Sequence, residues 1–200
     1  MATWDEAKDV IFKIGSLAGL SSFLWLLIKD IIAFFEKPRL RLSFDRKRDL
    51  RQFQYSDTRW VRKVATLHVQ NRRNQTAKRC VATLQIINKT KQTEHLEDKY
   101  ALHWAGVDYS SLTTGAQPID LGPELVRLDV AFTQQGMNAG GCWIAVPFTL
   151  SGNLNNNQAY LPPGEYNVEI AVSCENGKGD EAEFKIISPA AWDSLDMIQL

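Results

Sequence analysis

The stretch Val10 to Phe35, VIFKIGSLAGLSSFLWLLIKDIIAFF, limits what this chain can fold into more than any other. From Val10 to Ile28 the only charge is Lys13, near enough to one end for its long stem to carry the ammonium back to the headgroups. Those nineteen residues, at about 1.5 Å of rise each, make roughly 28 Å, close to the hydrocarbon thickness of about 30 Å. Apolar residues occupy every face of Ile14 to Ile28. The pattern predicts a single N-terminal transmembrane helix within residues 1–38, with a helix lying in the interface as the alternative. Gly15 and Gly19 form a G-x-x-x-G, and Ser22 falls on the same face. Small residues at that spacing let helices approach closely, so these three are the predicted helix–helix packing residues of a homo-oligomer. The competing explanation is the ordinary abundance of small residues in membrane helices. Pro38 stops the helix.

Net charge is zero, but the halves differ. Lys and Arg against Asp and Glu number 3 to 4 over residues 1–35, 14 to 4 over 36–79, and 6 to 15 over 80–200. Asp5, Glu6 and Asp9 precede the apolar stretch, whereas Lys37, Arg39, Arg41, Arg46, Lys47, Arg48 and Arg51 follow it. The positive-inside rule therefore predicts a single-pass protein of the cell inner membrane, N-terminus outside and C-terminal domain cytoplasmic. The acidic start and the lack of a small-x-small site before Lys29-Asp30 argue against a cleaved signal peptide. Three cysteines, Cys80, Cys142 and Cys174, each sit in an apolar alternating run, as reduced core thiols of a cytosolic domain would. An inverted topology with a Cys80–Cys174 bridge joining two sheets is the competing reading.

After Pro38 the hydrophobic period changes to two. Leu40, Leu42 and Phe44 alternate with polar residues, as do Ala65, Leu67 and Val69 within Trp60 to Asn71, and Cys80, Ala82, Leu84 and Ile86 within Lys78 to Asn88; each run predicts a strand. Residues 45–59 read as a polar loop. Tyr100 to Ala105 is a short candidate strand, and Leu125 to Phe132 predicts another, with Leu128, Val130 and Phe132 inward. Cys142 to Leu150 contains Pro147, which suits an edge or bulge. The clearest piece is the final hairpin: Tyr166, Val168, Ile170, Val172 and Cys174 alternate with polar positions, a turn follows at Asn176-Gly-Lys-Gly179, and Ala182, Phe184 and Ile186 return. The fold class expected is mainly β, divided into an anchor (1–38), an antiparallel β-sandwich (39–188) and a C-terminal tail (189–200).

Two blocks carry a resemblance. LHVQNRRNQTAKRCVATLQIIN, a strand ending in Asn, a polar turn and a second strand, resembles the opening of bacterial cell-adhesion-related and similar immunoglobulin-like domains. LPPGEYNVEIAVSCENGKGDEAEFKI resembles their closing hairpin, with Tyr166 placed as in a tyrosine corner. The resemblance implies an immunoglobulin-like sandwich and a binding role, and transfers no functional residues. The segment 90–118 is longer than such domains usually have.

No catalytic or cofactor motif is present. His68, His95 and His103 are scattered, there is no C-x-x-C or H-x-x-x-H, and neither G-x-S-x-G nor a phosphate loop occurs. Cys142 beside Gly140-Gly141 has no marked partner base. The expectation is a non-catalytic, membrane-anchored binding module without cofactors, having an unidentified protein partner. The alternative is a ligand-gated oligomeric effector whose sandwich binds a small anionic ligand or nucleic acid. Arg39, Arg41, Arg46, Lys47, Arg48 and Arg51 are the predicted contacts to anionic lipid headgroups. Arg59, Arg62, Lys63, Arg72, Arg73, Lys78 and Arg79 form the candidate anionic-ligand patch, unless they pair with the acidic later strands.

Overall fold

The computed structural model describes residues 36–54, 61–89, 93, 94, 96–105, 118–136, 140–146 and 159–200, with Ser22, Trp25, Leu26, Ile28 and Lys29 upstream. The chain divides into two compact units, Met1–Lys37 and Pro38–Leu200. In the first, the five described upstream positions are helical and exposed. Gly15, Gly19 and most of the apolar stretch lie outside the described residues. Among the described residues no helix is long and apolar enough to cross a membrane.

The second unit is mainly β. Its strands are β1 (Leu40–Ser43), β2 (Leu50–Gln54), β3 (Val61–Asn71), β4 (Ala77–Ile86), β5 (Tyr100–Ala101), β6 (His103–Trp104), β7 (Ile119–Leu121), β8 (Leu125–Gln134), β9 (Cys142–Ile144), β10 (Tyr160–Leu161), β11 (Gly164–Ser173), β12 (Asp180–Ser188) and β13 (Asp196–Gln199), with a one-turn helix α1 (Arg46–Asp49). Among the described residues one sheet runs β1-β3-β8-β9-β10, with β2 also on β3 and β6 on β8. The other runs β13-β12-β11-β4-β5, with β7 also on β4. All of these pairings are antiparallel.

Alternation explains why the sheets stack. Along β11, Tyr166, Val168, Ile170 and Val172 are buried while the residues between them are not, so one face is apolar and must find a partner. It finds the other sheet: Leu67, Val69, Leu128 and Val130 share one core with Leu84, Val168, Ile170 and Phe184. Removing that much apolar surface from water is the main force holding the layers together. The short segment Tyr100–Trp104 changes layer. Tyr100–Ala101 pairs with β4 in one sheet and His103–Trp104 with β8 in the other, leaving Leu102 between them fully buried.

Four details differ from the sequence reading. Residues 45–54 are not loop: Asp45 caps α1 by accepting the Lys47 N–H at 3.0 Å, and β2 then pairs along β3. Phe132 does not share a face with Leu128 and Val130. The β3–β8 register shifts after Ala65, so that Ala65 faces Ala131 while Thr66 faces Asp129. One extra residue in a strand reverses every side chain beyond it, and Phe132 packs with Val64, Trp143 and Ala145 in a second cluster. Residues 189–200, expected as a C-terminal tail, are packed on the sandwich: β13 adds to β12, and Met197 within it and Leu195 just before it lie in the core. Finally, Cys80 and Cys174 both belong to the β4–β11 side of the sandwich, so a bond between them would not join two sheets.

The tyrosine read as a corner residue behaves as one. Tyr166 Oη donates to the Pro162 carbonyl at 2.8 Å, pinning the entry to β11. Removing the hydroxyl leaves that carbonyl without its donor, so Tyr166→Phe is expected to lower unfolding free energy by about 1 kcal/mol, measurable by urea denaturation. No change would mean the bond has no net worth.

Candidate functional site

Asn71, buried at the end of β3, organises the end of the sandwich where the unit begins. Its Oδ1 accepts the N–H groups of Arg39 at 3.2 Å and Arg73 at 3.1 Å. Its Nδ2 donates to the carbonyls of Gln75 at 2.6 Å and Leu121 at 3.3 Å. The Arg72 N–H donates to the Arg39 carbonyl at 2.9 Å. One side chain thus fixes the backbones that carry Arg39, Arg72 and Arg73.

Three arginines follow from this frame. On β1, Leu40 and Leu42 face the core, which turns Arg41 outward with Arg39. Arg39, Arg41 and Arg72 line one cleft of about 370 Å³, closed on the far side by Asp180, Glu181 and Gln199 of the other sheet. Asp180 is engaged, its carboxylate accepting the Leu42 N–H at 2.8 Å. The three guanidinium groups are exposed and make no ion pair or hydrogen bond with any described residue. Free guanidinium forks on a concave surface are suited to phosphate or carboxylate oxygens.

The remaining basic residues are largely occupied. Arg46 forks onto Asp196, with Nε at 2.9 Å from Oδ1. Arg48 binds Asp49 at 2.9 Å and His68 Nδ1 at 3.0 Å. Arg51 donates to the Arg48 carbonyl. Of the 46–51 group only the Lys47 side chain is unengaged among the described residues; it lines a second, shallower cleft of about 460 Å³ with Arg46 and Lys63. In the candidate anionic-ligand patch, Arg62 binds Gln134 at 3.0 Å and lies 5.0 Å over the Phe132 ring. Lys63 Nζ donates to the Asp193 carbonyl at 2.7 Å, and Arg79 pairs with Glu175 at 2.5 Å. Arg73 and Lys78 are exposed, while Arg59 lies outside the described residues.

The two predicted groups are therefore regrouped. At about 3.3 Å per residue, β3 and the residue after it set Arg62 and Arg72 roughly 33 Å apart, too far for one small ligand. The same strand delivers Arg72 beside Arg39 and Arg41. Sequence reading missed Asp180, Glu181 and Gln199, which complete the cleft from strands more than a hundred residues away. No protein-family model, curated protein or solved structure matches the chain.

Other polar chemistry in the second unit is structural in form. Asp49 has no solvent-accessible surface, and its carboxylate accepts from Arg48 and from the Asp45 N–H at 2.8 Å, with His68 Nδ1 at 3.1 Å. Burial pushes its pKa up, but the Arg48 hydrogen bond, the Asp45 N–H, His68 and the Arg48 charge outweigh that and hold it below the usual range. His103 Nδ1 lies 3.2 Å from Asp129. Cys142 is fully buried, and burial pushes its thiol up to about 12, the opposite of what activates a nucleophile. Among the described residues no group of three His, Cys, Asp or Glu is arranged to hold a metal ion.

Proposed function

We propose that the protein is a membrane-anchored, non-catalytic binding module: a transmembrane N-terminal helix followed by an immunoglobulin-like sandwich held at the cytoplasmic surface of the inner membrane. The observation that carries the binding role is the arginine cleft. Arg39 and Arg41 come immediately after the boundary between the two units, and with Arg72 they line one cleft with three guanidinium groups that have no partner among the described residues. Anionic lipid headgroups are the ligand class this reading assigns, since a juxtamembrane Lys or Arg near an anionic leaflet contributes about 1 kcal/mol.

Residues 38–200 close their own hydrophobic core and can be tested alone with phosphatidylglycerol-containing vesicles. Replacing Arg39, Arg41 and Arg72 with Glu is expected to weaken sedimentation with the vesicles about 100-fold, three contacts at about 1 kcal/mol each. Replacing the already paired Arg46 and Arg51 with Gln should change it little. Added salt should weaken wild-type binding. If the triple substitution leaves binding intact, the assignment fails.

The volume of the cleft favours a second reading, because about 370 Å³ lies within the range of small-molecule pockets, roughly 300–1,000 Å³. In it the anchors oligomerise through Gly15, Gly19 and Ser22, and a small anionic ligand or nucleic acid gates the assembly. Displacement of the vesicles by a soluble nucleotide at low concentration, lost with the same three arginines, would select it.

A further inference from the structure

Cys80 on β4 and Cys174, the first residue past β11, come next to each other at the end of the β4–β11 ladder. The β4–β11 ladder runs in register as far as Ser173 opposite Val81, so its next step sets Cys174 opposite Cys80. Both side chains pack against the same core, which puts them on one face of the sheet. Residues directly opposed in an antiparallel ladder have Cα atoms about 4.5 or 5.5 Å apart, inside the range of about 4.4–6.8 Å that a disulfide spans. Both are free thiols. Their surroundings differ: Cys80 is fully buried, with its Sγ 3.4 Å from the Ala77 carbonyl oxygen, whereas Cys174 is partly exposed.

We infer that Cys80 and Cys174 are a redox-convertible pair that closes to a cross-strand disulfide on reaction with a low-molecular-weight disulfide. The accessible Cys174 acts first. Its thiolate attacks one sulfur of the oxidant RSSR, forming a Cys174–S–S–R bond as RS⁻ leaves. Cys80 then gives up its proton, and its thiolate attacks Cys174 Sγ and expels the second RS⁻. The two thiols lose two electrons and two protons, and RSSR becomes two RSH. Burial, then the neighbouring Cys174, pushes the Cys80 thiol up to about 12. The second displacement is accordingly the slow step and accelerates with rising pH.

The position of the bond gives it a consequence beyond cross-linking. Directly after Cys174 comes the turn at Asn176–Gly179, which holds the first residues of the unit. The Lys178 N–H donates to the Pro38 carbonyl at 2.9 Å, and the Leu40 N–H to the Lys178 carbonyl at 2.9 Å. A Cβ on Gly177 would strike the Pro38 carbonyl, so the turn and the chain entry are in close contact. Oxidation would brace this turn from beneath, next to Asp180 and Glu181 of the arginine cleft.

The test uses the full-length chain incubated with glutathione disulfide, quenched in acid, unfolded and alkylated. The alkylatable thiols are expected to fall from three to one, with Cys142 remaining and a dithiothreitol-sensitive peptide joining Cys80 to Cys174. Cys80→Ser should stop at the mixed disulfide on Cys174, which separates failure of the second step from failure to react. Retention of all three thiols, a bond to Cys142, or a wild-type Cys174 adduct that never resolves at alkaline pH would overturn the inference.

Discussion

Trp104→Ala is expected to lower the unfolding free energy of the sandwich by about 3–5 kcal/mol, the range for deleting a large aromatic side chain from a core. Trp104 is among the largest side chains with no exposed surface. It stands opposite Leu128 on β6, where the chain has just crossed between layers, so the void would open between the sheets rather than at an edge. Its indole N–H meets no acceptor among the described residues, and a buried donor left without a partner costs about 1–3 kcal/mol. Trp104→Phe keeps most of the ring while removing that donor, and should therefore cost less than half as much as the alanine variant. Urea unfolding followed by far-ultraviolet circular dichroism reads both. An alanine variant within about 1 kcal/mol of wild type would show that the crossing segment is not part of the core.

The strands that were legible from sequence are those with one clean apolar face. Tyr166 through Val172 alternates without interruption, and its apolar face points where the period places it; Ala65, Leu67 and Val69 are likewise buried as the period requires, though Thr66 between them is buried as well. Phe132 shows the limit of the period. Its identity fits an inward position, but the extra residue near Val130 is a property of the pair of strands and leaves no mark on either alone. β13 is illegible to the period because four residues are too few to establish alternation, although Met197 within it and Leu195 just before it are spaced as a buried face requires. β2 shows no alternation to read: Leu50 and Phe53 are its only apolar residues, and three positions apart they fall on opposite faces of the strand, each against a different cluster.

The arginine cleft was half legible. Charge counting singled out Arg39, Arg41 and Arg72, but assigned them to two groups because it could only measure distance along the chain. The sheet measures it otherwise, since β1 pairs with the far end of β3, Leu40 opposite Asn71, and returns Arg72 to the start of the unit. Occupancy was beyond reach altogether. Arg46 looks as available as Arg39 and Arg41 in sequence, and only the fold brings Asp196 against it; for Arg48 the partner is the adjacent Asp49, which the fold buries.

That buried carboxylate yields the second large effect. Asp49→Ala removes the acceptor for Arg48 and for the Asp45 N–H and leaves His68 without its carboxylate. Hydrogen bonds to charged groups contribute about 1.5–3 kcal/mol, and a partner stranded by the loss of its acceptor adds to that, so a loss of about 3 kcal/mol is expected. Asp49→Asn, which keeps the shape but not the charge, should lose less. The sign of the pH dependence follows from the lowered carboxylate pKa, in which burial is outweighed by Arg48, the Asp45 N–H and His68. A group whose folded pKa lies below its unfolded value of about 3.9 contributes stability that is fully present above that value and vanishes as pH falls through the folded one. The gap in stability between wild type and Asp49→Asn should therefore be widest near neutrality and shrink on acidification below about pH 4. A gap that stays constant across that range would mean that the Asp49 charge contributes nothing and that only its shape is needed.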